Sequence, residues 1–315
     1  MLDLDTKIVF EDRKNDVLAI GELLIDMISI EHEGIYTYQQ FFGGASANIA
    51  MNVKRLGINP LIASAVGADR LGDFLVKHLE QNGIDTKLVQ RVESSTSLVL
   101  LNKSNGTPTP IFYRGADYHL SYTEELEREV LASKIVHFSC WPISRLPARR
   151  TIERVIQTAR DNNVLVCFDP NYHKMIWQEG ENGAEYVKRI IGQTDMIKPS
   201  EDDAERLFGP DTPRNQIKNF LALGAKLIIL TLGKEGLIVS NGVETLEVKT
   251  LATEIADTTG AGDAFWSGLY TAIINGYPIK KAVEFGSAAS AYKLRHVGAV
   301  TDLPQLSELE ILYKL

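Results

Sequence analysis

The segment Asp257-Thr-Thr-Gly-Ala-Gly-Asp263-Ala-Phe-Trp-Ser-Gly268 concentrates small residues immediately ahead of an expected helix. Gly260, Ala261 and Gly262 let backbone approach a ligand closely, and free amides at a helix amino terminus make a ready anion site. Phosphoryl transfer needs such a site, because charge builds on the phosphoryl oxygens. Asp263 then stands beside the anion hole as acceptor for the proton of an attacking hydroxyl. The same residues also describe an ordinary glycine turn followed by an Asp cap.

Four other segments carry polar groups where chemistry would need them. In Gly43-Gly44-Ala-Ser-Ala-Asn48, paired glycines precede a helix, and the Asn48 amide can both donate to and accept from hydroxyls. Asp26 interrupts a run of Leu, Ile and Met, so it must lie at a strand end or face a polar partner. Thr231-Leu-Gly233-Lys-Glu-Gly236 closes a buried strand, either against a nucleotide or simply to turn a hairpin. Lys198-Pro-Ser200-Glu-Asp-Asp203 follows a strand and opens a helix. Ser200 and Asp203 have capping-box spacing, and the same oxygens would also suit water held around Mg²⁺. Neither Gly-x-Gly-x-x-Gly nor Gly-x-x-x-x-Gly-Lys-Ser/Thr occurs, which disfavours a dehydrogenase or a P-loop enzyme.

The elements needed to position these groups follow from hydrophobic periodicity. Strands are predicted over 17–21 and 61–66, and helices over 45–56 and 71–81, ending at Gly57 and Gly83. Strands 96–102 and 109–113, joined by a turn at Ser104-Asn-Gly106, are expected to pair with 34–42. From 123 onward, helices and strands alternate up to a hairpin of 236–240 with 243–249 and two long helices, 261–275 and 278–294. This pattern predicts an α/β fold: a doubly wound, mostly parallel sheet flanked by helices, with a small β-sheet lid. The expected division is an extension over 1–16, a core of 17–33, 43–83 and 114–315, and a lid of 34–42 and 84–113. Ligands on such sheets bind at the carboxyl ends of the strands.

Composition narrows the class. The chain has 315 residues, 33 Lys and Arg against 41 Asp and Glu, and a formal net charge of −8. No basic block is present, so nucleic acid and anionic membranes are poor partners. Cys140 and Cys167 lie in apolar runs and are expected to be reduced and buried. With no apolar run near the roughly 20 residues of a spanning helix and no leader-like amino terminus, a cytoplasmic protein is expected.

Taken in order, these segments resemble the ribokinase-like (PfkB) family of carbohydrate kinases. Gly43 to Gly57 is similar to the family's amino-terminal signature and Asp257 to Gly268 to its carboxyl-terminal one, with Asp169-Pro-Asn171, Lys198-Pro-Ser200 and Thr231-Leu-Gly233 between them. The resemblance implies transfer of the ATP γ-phosphoryl group to a primary hydroxyl, with Mg²⁺. By position it implies Asp263 as base, with Gly260, Ala261 and Gly262 as anion hole. Asp26, Gly43, Gly44, Asn48, Arg114 and Asn171 would face the sugar, and Lys198, Ser200, Thr231, Gly233, Gly236 and Ser287 the nucleotide. Asp203 would reach Mg²⁺ through water, although the family's Asn-x-x-Glu reads Ser200-x-x-Asp203 here. Some members bind a monovalent cation such as K⁺, which here would involve Asp257, Thr259 and Gly298. The Arg that often follows Asp-Pro-Asn-x is His173.

Ile111-Phe-Tyr-Arg114-Gly-Ala-Asp117 is most similar to the fructokinase version of that segment, which implies D-fructose and its conversion to fructose 6-phosphate. A 2-keto-3-deoxygluconate kinase or a ribokinase-type kinase is the alternative within the family, since Arg114 would also suit a carboxylate. A non-catalytic sugar-binding sensor or scaffold is the alternative of another class. The apolar lid face (Ile35, Tyr36, Leu98, Leu100 and Ile111) implies a homodimer through the lids.

Overall fold

The computed structural model describes residues 2–32, 35–101 and 110–315. The turn expected at Ser104-Asn-Gly106 falls outside them. The elements begin with β1 (Asn15–Ile20), β2 (Leu24–His32), β3 (Ile35–Gly43), α1 (Ala45–Arg55), β4 (Pro60–Gly67) and α2 (Arg70–Gln81). There follow β5 (Val89–Val92), β6 (Leu98–Leu101), β7 (Ile111–Tyr113), α3 (Glu124–Leu131), β8 (Ser133–Ser139), α4 (Cys140–Ile143), α5 (Ala148–Asp161) and β9 (Leu165–Asp169). Next come α6 (Gly183–Ile191), β10 (Met196–Ile197), α7 (Glu201–Phe208), α8 (Pro213–Ala222) and β11 (Leu227–Thr231). The chain ends with β12 (Leu237–Ser240), β13 (Thr245–Val248), α9 (Ala261–Ile274), α10 (Ile279–Leu294) and α11 (Leu306–Tyr313).

The large sheet has nine strands in the order β13-β12-β11-β10-β9-β8-β1-β4-β5. All neighbours from β11 to β5 run parallel, and β12 pairs antiparallel with both β11 and β13. Helices cover both faces, so the fold is the doubly wound, mostly parallel α/β fold expected. Strand alternation decides the two cores. Leu18, Ile20, Val136, Phe138, Val166 and Phe168 point to one face, packed with Val155 of α5 and Val187 of α6. Val17, Ile135, Cys167, Met196 and Ile229 point to the other, against Trp266, Leu269 and Phe285 of α9 and α10. Both cysteines are buried and free, as expected.

The small sheet has the order β3-β2-β6-β7, and it differs from the expected lid at two places. β2 belongs to it rather than to the core: after Gly21 the chain leaves the large sheet and pairs with β3 and β6. β5 belongs to the large sheet, where it extends the parallel edge beside β4. Four residues of β5 with half-exposed side chains carry too little hydrophobic pattern to reveal which sheet they join. Residues 2–14 pack on the core, with Leu4 buried and its carbonyl accepting from Lys280 N at 2.9 Å.

Helix ends follow local chemistry. Asp69 caps α2 by accepting from Gly72 N, Thr123 caps α3, and Thr212 with Pro213 starts α8. α9 is buried from Ala264 to Ile273 and lies close against α10. A Cβ on Gly268 would sit 2.6 Å from Phe285 O and 2.8 Å from Ala289 Cβ. Gly268→Val is therefore expected to lower stability by about 1–3 kcal/mol through overpacking. Urea denaturation reads this directly; an unmoved midpoint would mean that the two helices do not need the glycine.

Candidate active site

Strand order reverses around β1, which has β4 on one side and β8 on the other. The carboxyl ends of β1, β8, β9, β10 and β11 thus open onto a shared crevice. The first turn of α9 stands over it. Gly260 caps that helix at φ 77°, a left-handed conformation, and a Cβ there would strike Ala299 O. Of the expected anion hole, Ala261 N already donates to Thr258 O at 3.2 Å. The amides of Gly262 and Asp263 lie in the first turn, where no intrahelical carbonyl reaches them.

Asp263 Oδ2 accepts from Asn48 Nδ2 at 2.9 Å, which joins α9 to α1 across 215 residues of sequence. Asn48 Oδ1 is buried without a partner, in place to accept from a hydroxyl. Burial pushes the Asp263 pKa up to about 6; Asn48 and Lys198 act against the rise and Asp169 adds to it. Lys198, at the end of β10, pairs with Asp169 at 2.9 Å, and Trp266 Nε1 donates to the same carboxyl oxygen at 2.9 Å. A Cβ on Gly262 would lie 3.3 Å from Lys198 Nζ, so a fixed ammonium flanks the anion hole.

On the far side of Lys198 a cleft of about 320 Å³ is lined by Thr231, Gly233, Gly236, Ala261, Phe265 and Ser287 among others. It gathers residues expected at the nucleotide from β11, the turn after it and α10. Gly236 adopts φ 98°, and a Cβ would strike Val248 O, so the turn into β12 requires glycine. Ser287 Oγ is buried in this lining with no partner.

The expected sugar side is built where β2 and β3 meet α1. Gly43 is close to the Asp26 carboxyl, which a Cβ at Gly43 would strike, and Gly44 takes φ 118° against Glu22 O. Burial raises the Asp26 pKa to about 6. Glu22 is a member of this site that the sequence reading passed over, although a carboxylate within an apolar run was its signal. Its Oε1 accepts from Ala45 N at 3.0 Å, while Oε2 is buried without a partner. Burial raises its pKa to about 7, with backbone bonds opposing and Asp263 and Asp117 adding. Asp169 was also passed over, visible only as the first residue of Asp169-Pro-Asn171.

Three expected roles are corrected. Arg114 is committed to a buried network rather than open to substrate, with a side chain only 2% exposed. It pairs with Asp117, donates to Ser144 Oγ and the Ile176 and Trp141 carbonyls, and stacks 4.6 Å from the Trp141 ring. Asp117 in turn accepts from Trp141 Nε1 at 2.7 Å and from Ser97 Oγ. Asp203 closes the capping box of α7: Ser200 N and Oγ donate to Oδ2 at 2.9 and 2.7 Å. Its Oδ1 accepts from Tyr172 N at 2.6 Å, and the residue is buried, so its geometry is that of a helix cap rather than a metal contact. Ser200, expected at the nucleotide, serves the same cap and does not line the cleft beside Lys198. Asn171 is exposed at φ 35°, and His173 caps the following turn and meets Phe112 of the lid edge-on at 6.3 Å.

The residues expected at a monovalent cation come together, with the Asp257 oxygens engaged by protein donors. Asp257 Oδ1 accepts from Thr259 N and Oγ1 at 2.9 and 2.8 Å, and Oδ2 accepts from Gly298 N at 2.8 Å. Asp257 O accepts from Lys293 Nζ at 3.0 Å. A protein ammonium thus already stands among the residues expected at a potassium ion. Lys293 lies in a helix whose other inward residues are mostly apolar, and nothing in the periodicity marked it.

The profile of the pfkB family carbohydrate kinases matches residues 14–306. An ATP-dependent 6-phosphofructokinase of Thermoanaerobacterium thermosaccharolyticum is 57% identical over 100% of this chain and 99% of its own length. The structure of Halothermothrix orenii fructokinase is 41% identical, covers 86% of this chain and 97% of that one, and superposes with a TM-score of 0.77. Xylella fastidiosa fructokinase with bound ATP is 26% identical, covers 95% and 98%, and has a TM-score of 0.84.

Asp263→Asn keeps the bond to a neighbouring amide possible but removes the proton acceptor. Its kcat/KM is expected to fall by about 10²–10⁴-fold, with sugar affinity by calorimetry little changed. In the unaltered protein, kcat/KM should rise as pH climbs through about 6, where Asp263 ionises. Substantial turnover by the Asn variant, or a flat profile from pH 5 to 7, would remove Asp263 from the role of base.

Proposed function

The chain belongs to the pfkB family of carbohydrate kinases, and from that premise we propose that it transfers the γ-phosphoryl group of ATP to the free primary hydroxyl of fructose 6-phosphate. The observation that carries the kinase reading is the Asp263 carboxylate, held by Asn48 beside the open first turn of α9 and the Lys198 ammonium. Asp263 takes the proton of the acceptor hydroxyl, and that oxygen attacks the γ-phosphorus as the bond to ADP breaks. Charge on the transferring oxygens is met by the Gly262 and Asp263 amides and by Lys198. Mg²⁺ bound with the nucleotide would be held mainly by phosphate and water oxygens, with Asp169 the acid beside the anion hole; it would neutralise charge on the phosphates.

The relative 57% identical over the full chain, a 6-phosphofructokinase, supports the phosphorylated acceptor. A ketohexose esterified at C6 keeps one primary hydroxyl, at C1. The phosphate needs a cation, and Arg114 is spent on Asp117. Among the described residues, Arg145 is the cation left uncommitted beside Arg114. It follows α4, faces the Tyr118 ring at 5.5 Å, has a buried Nε with no partner, and forms no ion pair among the described residues. Commitment of Arg114 also weighs against a keto-deoxy acid bound through that residue. Free fructose, expected from the lid segment, is the second reading, favoured by the 41% identity to a fructokinase. The non-catalytic reading would leave the base and the cation beside the anion hole without a use.

A coupled ADP-release assay with MgATP decides between the acceptors. Fructose 6-phosphate is expected to be turned over well and fructose poorly, with Arg145→Met raising KM for the phosphorylated sugar by about tenfold or more, as loss of a charge-assisted contact would. Preference for fructose, with Arg145→Met neutral, would establish the second reading.

The lid supports a homodimer. Ile35, Ile111 and Tyr113 on it are 67%, 45% and 56% exposed, apolar surface that a second lid would cover. Sedimentation equilibrium should give twice the 35.0 kDa chain mass, and Ile111→Asp should shift it to the monomer; a monomeric unaltered protein would rule the dimer out. No described helix is long and apolar enough to cross a membrane.

A further inference from the structure

We propose that Lys293 is a built-in monovalent cation, taking the place that a bound potassium ion would hold behind the anion hole, so that catalysis here needs no added alkali ion. The inference rests on the kinase reading above. Lys293 is the penultimate residue of α10 and is 0% exposed. Its Nζ donates to two backbone carbonyls, Asp257 O and His296 O, each at 3.0 Å. Among the described residues it forms no ion pair with a carboxylate. Burying an ammonium costs several kcal/mol unless other dipoles replace its water, and carbonyl oxygens are the ligands that replace water around an alkali ion. Burial pulls its pKa below the ordinary lysine value, and the Asp257 carboxylate pulls it back.

The consequence for the site is mechanical. Ala256 N and Asp257 N both donate to Leu294 O, at 2.7 and 3.3 Å. The Asp257 side chain ties Thr259 to Gly298, and Gly260 rests against Ala299. The ammonium stands inside this lacing, attached at both of its strands, and the anion hole begins at the next residues. Lys293 touches neither substrate; it is a positioning residue that sets where the amides of Gly262 and Asp263 stand.

The test compares the unaltered enzyme in potassium and in tetramethylammonium chloride at one ionic strength. Turnover and calorimetric ADP affinity are both expected to agree within about twofold, a difference well under 1 kcal/mol. Stimulation of either by potassium of about tenfold or more, equivalent to roughly 1.4 kcal/mol, would overturn the proposal. Lys293→Met, similar in length and uncharged, is expected to raise KM for ATP and lower kcat in tetramethylammonium, with potassium restoring part of both. A Met variant equal to the unaltered enzyme in tetramethylammonium would also overturn it. Should no sugar be phosphorylated in either salt, the acceptor reading has failed, and the ADP affinities still decide the role of Lys293.

Discussion

The bond between Asn48 and Asp263 ties together the two halves of this molecule that chemistry requires. One partner opens α1, just after the lid strands return to the core, and the other opens α9, on the opposite end of the chain. For the two to meet, β1 must lie centrally in the sheet, with α1 and α9 packed on the same face of it. The buried stripe of α9 and the close glycine contacts with α10 serve that placement. They hold the helix so that its first turn projects into the crevice at the strand ends.

Electrostatics in the crevice follow from crowding acids into a space with little water. Glu22, Asp26 and Asp263 all have raised pKa values, and burial is the largest cause for each. Burial makes a carboxylate hungry for a proton, which suits a group that must take one from a hydroxyl. Lys198 offsets part of this crowding through Asp169 and stands next to the anion hole. The same ammonium therefore relieves the acids and prepares the site for a phosphoryl group. Neighbouring polar groups without partners (Glu22 Oε2, Asn48 Oδ1, Ser287 Oγ) mark surfaces that are complete only with ligands bound.

Several charged residues near the site work on the protein itself. Arg114 and Asp117 neutralise each other beneath Trp141, where Phe112 of the lid packs edge-on at 5.3 Å. That network forms a floor beneath the small sheet. Asp203 spends its oxygens on α7 and the Tyr172 amide and so holds the loop after β9, just beyond Asp169, against the loop after β10, which carries Lys198. Lys293 does the same for the loop ahead of α9. In each case a side chain of catalytic type orders backbone, and the groups facing substrate are left on either side of it.

The sequence by itself determined the α/β class, most element boundaries and the candidate base, Asp263. Each of these is written in local terms: period-2 and period-3.6 apolar patterns, glycines before helices, and one acid just inside a helix start. Asp263, Asn48, Gly43, Gly44 and, in the cleft, Thr231, Gly233 and Gly236 were legible for that reason. The tertiary structure alone decided which sheet β2 and β5 join, because a short strand's partners depend on distant segments and not on its own pattern. It also decided what Arg114, Asp203 and Lys293 do. A charged side chain's role depends on which opposite charge or carbonyl lies within about 3 Å of it, and chain folding sets that distance, whatever the residue's type.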